Sequence, residues 1–129
     1  MVDVELVNEK NKQLVLETLE SDVVRHVFAV YDLQKDPQHT RTYAAFMNGN
    51  LQGYILIYTA TDVPSVILEC EENVAEKLLE HAPLNNFIAH APPNLLRYAL
   101  SPPSVLDVNC RIHCHPNTFL VLILWSPIV

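Results

Sequence analysis

The residues able to do chemistry fall in a few short windows. Cys110-x-x-His113-Cys114-His115 gathers two thiols and two imidazoles, the ligand types of zinc and copper sites. On a strand, Cys110 and Cys114 face one way and His113 and His115 the other, so no single site collects all four. A Cys110/Cys114 pair would need two further ligands, of the kind His90 or Cys70 offer, and no metal site is expected. Three cysteines and six histidines also admit a Cys-His nucleophile, but no local motif singles out one thiol. Free cysteines in cores behave as small hydrophobes. A second window, Glu69-Cys70-Glu71-Glu72, places three carboxylates around one turn.

These windows sit in a chain of 129 residues with 15 acidic and 8 basic side chains and a formal net charge of −7. Scattered bases and a negative balance argue against nucleic acid as partner, because that binding depends on clustered Lys and Arg displacing counterions. The length suits one domain, 1–129. Average usage would supply about 9 glycines, yet the chain has two, Gly49 and Gly53, which disfavours a glycine-rich phosphate loop. The odd cysteine count and the lack of a leader pattern lead us to expect a reducing, cytoplasmic setting. The most apolar run, Phe119 to Trp125, is followed by Ser126-Pro127 and is far short of the roughly 20 residues that cross a bilayer, so no membrane span is expected.

Hydrophobic periodicity sets the elements that must position these residues. Leu14, Val15, Leu16 and Leu19 predict a helix over 10–20. Val23, Val24, Val27, Phe28 and Tyr31 predict a second with one apolar stripe, capped by Ser21 or Asp22 and stopped at Gln34-Lys35-Asp36-Pro37. The runs 41–47 and 51–58 flank Asn48-Gly49-Asn50, the strongest short-range hairpin signal. Gly53, inside the second strand, marks a bulge or a close backbone approach. A short buried strand over 65–69 leads to a helix over 71–81 with Val74, Ala75, Leu78, Leu79 and Ala82 on one face. A strand at 86–90, a short helical segment at 94–100 and tail strands at 105–113 and 118–125 complete the chain. The pattern is α/β (α+β): a mixed, mostly antiparallel sheet with helices on both faces, order ααβββαβαββ, with room for a first strand ahead of it. The β-α-β unit within it is parallel with a right-handed crossover.

That order, with Thr42 to Tyr54 as its central hairpin, resembles the GNAT superfamily of acyl-CoA-dependent N-acyltransferases. Phe28-Ala29-Val30-Tyr31-Asp32-Leu33, the hairpin, Pro64-Ser65-Val66, Leu78-Leu79-Glu80-His81 and His90-Ala91-Pro92-Pro93 are similar to the N-terminal domain of archaeal and bacterial tandem-GNAT proteins. The resemblance covers roughly 22–96.

It implies acetyl-CoA as cofactor, its pyrophosphate held by a Gln/Arg-x-x-Gly-x-Gly/Ala turn between the fourth strand and the next helix, where backbone N–H groups face the anion. The matching window is Cys70 to Ala75, with Leu68, Cys70, Asn73, Val74 and Ala75 as the residues that would border the coenzyme. Cys70 replaces Gln/Arg, Asn73 replaces the first glycine and only Ala75 conforms. Asn73 can supply a positive φ in glycine's place. Glu69, Glu71 and Glu72 oppose phosphate: at about 5 Å and an effective dielectric near 20, each pair of like charges repels by roughly 3 kcal/mol. The resemblance also implies Tyr98 as general acid, with Glu69 and His90 as bases. The reading is a degenerate GNAT-fold domain, a binding, interaction or regulatory module without acetyltransferase activity; the alternative is an N-acetyltransferase with an atypical coenzyme loop. The last strand, apolar on both faces, is expected either inside the sheet or at an edge covered by a second GNAT domain or by a homodimer partner.

Overall fold

The computed structural model describes residues 2–83, 87–95, 108–114 and 121–127. Its strands are β1 (Val2–Leu6), β2 (Thr40–Met47), β3 (Asn50–Tyr58), β4 (Ser65–Cys70), β5 (Phe87–Ala91), β6 (Val108–Cys114) and β7 (Val121–Pro127), and its α-helices are α1 (Lys12–Glu20), α2 (Val27–Lys35) and α3 (Ala75–Leu79). One mixed sheet takes the order β1-β2-β3-β4-β5-β7-β6. Only β4 and β5 pair in parallel; every other neighbouring pair is antiparallel.

The central hairpin forms as its sequence dictates. Asn48 and Gly49 both take positive φ, 53° and 79°, the requirement of a tight turn whose twist matches the strands. Further along, Ala45 pairs with Gly53 but Phe46 with Leu51, so Gln52 is the extra residue of a β-bulge. Gly53 has φ 150°, and a Cβ there would lie 2.1 Å from Cys70 Cβ and 2.3 Å from Cys70 Cα. The residue is glycine because β4 passes where a side chain would be.

Apolar clusters cover both faces of the sheet. Val15, Leu16, Leu19, Ala29, Val30 and Leu33 of α1 and α2 pack on Ala44, Phe46, Tyr54 and Leu56. On the opposite face Val74, Ala75 and Leu78 pack on Ala45, Ile55, Val66 and Leu68, with Leu79 and Ala82 partly buried beside them. Each fully buried Leu, Ile or Val contributes on the order of 1.5–3 kcal/mol relative to exposure. The ring of His81 stacks on Tyr43 at 4.0 Å between centroids, pinning the segment after α3 to β2.

Four expectations change. The stripe of Val23, Val24, Val27, Phe28 and Tyr31 faces outward, with all five residues exposed, while Ala29, Val30 and Leu33 face the sheet. The reason is the helix start: residues 21–26 form hydrogen-bonded turns, α2 begins at Val27 after His26 and has no side-chain cap, so Ser21 and Asp22 do not cap it. The helix expected over 71–81 is a 3-10 turn, Glu72–Val74, followed by the five residues of α3. The last of the four concerns the tail: of the two explanations for the apolar run of β7, its place between β5 and β6 selects the interior strand and leaves β6 as the edge, so the expectation of a covered edge strand falls.

Gly53→Ala is expected to cost about 3 kcal/mol or more, measured by urea unfolding, and replacing Cys70 by glycine in that variant will not restore stability, because Cys70 Cα and Glu69 O, 2.3 and 2.6 Å away, also obstruct the new Cβ. Gly49→Ala, with no atom within 4 Å of the added Cβ, is expected to cost about 1 kcal/mol through its positive φ alone.

Candidate functional site

Period-two alternation on β3 and β4 sends Tyr54, Leu56 and Tyr58, and Ser65, Ile67 and Glu69, to the face under α2, where with Arg25, His26, Ala29 and Asp32 they line a cavity of about 260 Å³. The strands pair these residues rung by rung: Tyr58 with Ser65, Leu56 with Ile67, Tyr54 with Glu69. His90 of β5 completes the wall. The cavity exists because Ala29, buried on the inner face of α2, leaves the space above Leu56 and Ile67 unfilled.

At one end Glu69 is almost wholly buried. A bare carboxylate there would be costly, and Arg25 answers it: Nε donates to Glu69 Oε1 at 3.0 Å and Nη2 donates to the same oxygen. Beside this pair the Tyr54 hydroxyl and His26 Nδ1 share a hydrogen bond of 2.9 Å. Burial pushes the Tyr54 hydroxyl far above its usual value, with Glu69 adding to the effect. Burial also lowers the imidazole of His26. At the other end the Tyr58 hydroxyl donates to Asp36 Oδ2 at 2.6 Å, and Asp36 Oδ1 lies 2.7 Å from His39 Nδ1. The Tyr58 bond, then His39, holds Asp36 below the carboxylate range, while Asp36 pushes Tyr58 up to about 12.

Pairing of β4 with β5 stops at Ile67 and His90, although β4 runs on through Leu68, Glu69 and Cys70. Past that point the strands have no shared ladder. On the α3 side of the opening, Leu95 is fully buried in one cluster with Leu68, Val74 and Ala75. At the turn, the Glu71 N–H donates to Gln52 O at 2.9 Å and the Val74 N–H to Glu71 O at 3.2 Å, and the Ala75 N–H to Glu72 O. Asn94 Nδ2 donates to Glu72 Oε1 at 3.4 Å, joining the turn to the segment after β5.

Of the residues singled out as bordering a coenzyme, Leu68, Val74 and Ala75 are buried core side chains. Asn73 is exposed, and among the described non-glycine residues only Asn48 has positive φ, so Asn73 does not stand in for glycine. Cys70 is half-buried, and burial, with Glu69 and Glu71, pushes its thiol up to about 12, the direction that disfavours the thiolate. Glu69 and His90 are brought to one cavity. Tyr98 lies outside the described residues, as do His115 and the side chains of Cys110, His113 and Cys114. Among the described residues no three His, Cys, Asp or Glu side chains converge on a metal position. Arg25, His26, Asp32, Tyr54 and Tyr58 were not singled out from the sequence; the alternation on β3 and β4 was the signal, once the cavity shows which face is hollow.

The fold of this sheet and its helices is shared with solved GNAT acetyltransferases. A diaminobutyrate acetyltransferase from Paenibacillus lautus, solved with L-2,4-diaminobutyric acid and coenzyme A, superposes with a TM-score of 0.64 over 100% of this chain and 96% of its own, at 13% identity. The GNAT domain of a Streptomyces lividans protein, PAT, gives 0.61 over 98% and 90% at 14% identity, and a GNAT-family acetyltransferase from Streptococcus pneumoniae gives 0.58 over 100% of both chains at 12%. No protein-family profile and no curated protein matches the sequence. Among the described residues no helix is long and apolar enough to cross a membrane.

The lowered imidazole of His26 implies a pH signature. Unfolded, it titrates near 6.5; folded, it titrates lower, so its contribution is complete above that value and is lost as pH falls below it. Urea unfolding is expected to show a larger loss of stability between about pH 7.5 and 5 for the natural chain than for His26→Gln. Equal losses would place the titration elsewhere.

Proposed function

We propose that this chain is a GNAT-fold domain without acetyltransferase activity of its own, working as a binding or regulatory module whose ligand site is the cavity between α2 and the sheet. The observation that carries the reading is the turn after β4: the amides of Glu71, Val74 and Ala75 are donated within the protein, and Glu71 and Glu72 stand where two phosphates would need positive potential. The short α3 adds little dipole to offset them. Leu95, buried with Leu68 and Val74, supports the same reading, since pantetheine would need that space.

A second reading, an N-acetyltransferase with an atypical coenzyme loop, is favoured by one observation. The parting of β4 and β5 beyond Ile67 and His90 brings Glu69 and His90 to a cavity beside the opening, as acid-base chemistry on an amine would require. In that case Leu68, Cys70, Asn73, Val74 and Ala75 border the coenzyme and Tyr98 is the acid. Titration calorimetry with acetyl-CoA separates the two: no saturable heat is expected at micromolar to low millimolar ligand, and saturable micromolar binding would establish the enzyme reading instead.

We place the domain in the cytoplasm and further propose that it self-associates as a homodimer, or docks a second GNAT domain, in the absence of nucleic-acid or membrane partners. The interior position of β7 removes the tail strand as the reason. The support is now the exposed row of Val24, Phe28 and Tyr31 on one side of the first helical layer, an apolar surface of the kind interfaces cover. Light scattering at tens of micromolar is expected to return twice the chain mass, and a monomeric mass would overturn the dimer.

A further inference from the structure

We propose that a second copy of this chain docks on the outer face of α2, antiparallel across a two-fold axis beside Phe28, and roofs the cavity beneath the helix. The inference rests on the homodimer reading, to which it gives an interface and a register.

Val24, Phe28, Tyr31 and Lys35 recur at the spacing of one line along a helix. All four are exposed, Val24 at 86% and Phe28 at 65%. The turns before α2 keep helical spacing, since the His26 N–H donates to Asp22 O at 3.2 Å and the Val30 N–H to His26 O at 2.9 Å, so the line runs unbroken into the helix. Four charges accompany it in alternating sign, Asp22, Arg25, Asp32 and Lys35. They cancel, in a chain whose net charge is −7, so two copies meeting on this strip escape the repulsion that an acidic surface imposes. A uniformly basic or uniformly acidic partner would meet two like charges here.

The order of the charges sets the direction. In an antiparallel pair related by a two-fold axis, positions equally far from the axis on opposite sides stand face to face. With the axis between Phe28 and Ala29, Asp22 meets Lys35 and Arg25 meets Asp32 in one register, and symmetry makes each pair twice. A parallel arrangement would set every charge level with its own copy. Arg25 and Asp32, two turns apart, lie on the same flank of the line, and the antiparallel two-fold brings like flanks together. The two Phe28 rings adjoin at the axis, and Val24 of each copy lies beside Tyr31 of the other, an apolar centre between the charges. Both members of the central pair have unused capacity. Arg25 directs Nε and Nη2 to Glu69, and its side chain is 57% exposed, which leaves Nη1 for a second carboxylate. Asp32 is half-buried on the cavity wall, and its carboxylate has no hydrogen bond or ion pair among the described residues. A guanidinium from the second copy supplies the charge that Asp32 lacks. Arg25, Phe28 and Asp32 all line the cavity, so the copy that pairs with them covers its outer side and the site is complete only in the dimer.

The experiment is sedimentation equilibrium of the whole chain at neutral pH and low salt, where charge pairs are least screened. The natural chain is expected to dimerise at tens of micromolar. Lys35→Glu and Asp22→Lys are each expected to raise the dissociation constant by about tenfold, since symmetry doubles every change, and the two together to bring it back to within about threefold of the natural value. Val24→Glu, at a position 86% exposed, is expected to leave the melting temperature unchanged and to give a monomer. A dimer indifferent to these substitutions, or single variants that the combination does not rescue, would overturn this interface while the homodimer reading stands. A natural chain that stays monomeric would overturn both and leave the face to a second GNAT domain.

Discussion

The close approach of β3 and β4 at Gly53 is the constraint on which both halves of the site depend. With no Cβ at Gly53, the Cys70 backbone passes within a distance that any side chain would forbid, and the bulge at Gln52 turns a carbonyl toward the Glu71 N–H, 2.9 Å away. That one bond fixes the direction in which the chain leaves β4. It also commits the first amide of the turn to the protein, where a coenzyme-binding turn would hold its amides free for phosphate. On the opposite face the same approach carries Glu69 inward beside Tyr54, to a depth at which its charge has to be met by Arg25.

The two faces of the sheet then diverge in what they can hold. Beneath α3 the residues are aliphatic and closely packed, and Leu95 closes the space next to Leu68. Beneath α2 a single small residue, Ala29, sits over Leu56 and Ile67, and the volume it does not fill becomes the cavity. Large apolar side chains are plentiful on that helix, but Phe28, although it lines the cavity, and Tyr31 remain mostly exposed. The hollow therefore follows from which face of α2 meets the sheet, the face of Ala29, Val30 and Leu33.

This is also where legibility from sequence divides. The hairpin was readable because Asn48-Gly49 specifies its turn by local sterics alone. The α3 stripe, Val74, Ala75 and Leu78, was readable because one face is apolar and the other charged. The orientation of α2 was not, because apolar residues occupy two faces and periodicity cannot rank them; Ala29, Val30 and Leu33 won by fitting the sheet. The cavity residues were hidden for a different reason. Arg25, His26, Asp32, Tyr54 and Tyr58 are spread over 34 positions and meet only through strand pairing and the packing of α2 on the sheet, which no local pattern encodes. The turn at Cys70 to Ala75 stood out in sequence because anion cradles depend on particular residues at particular positions.

That last contrast bears on how a fold can be shared at 13% identity. A sheet of this kind asks only that alternate residues be apolar and that a few positions, Gly53 foremost, admit a close backbone; many sequences satisfy it. A phosphate cradle asks for free amides, a tolerated φ and no opposing charge at once, and each replacement removes one. Here Gln52 occupies an amide, Asn73 keeps ordinary φ and Glu71 and Glu72 bring charge of the wrong sign. The cavity under α2 needs none of the three, since its walls come from the alternation of β3 and β4 and from α2.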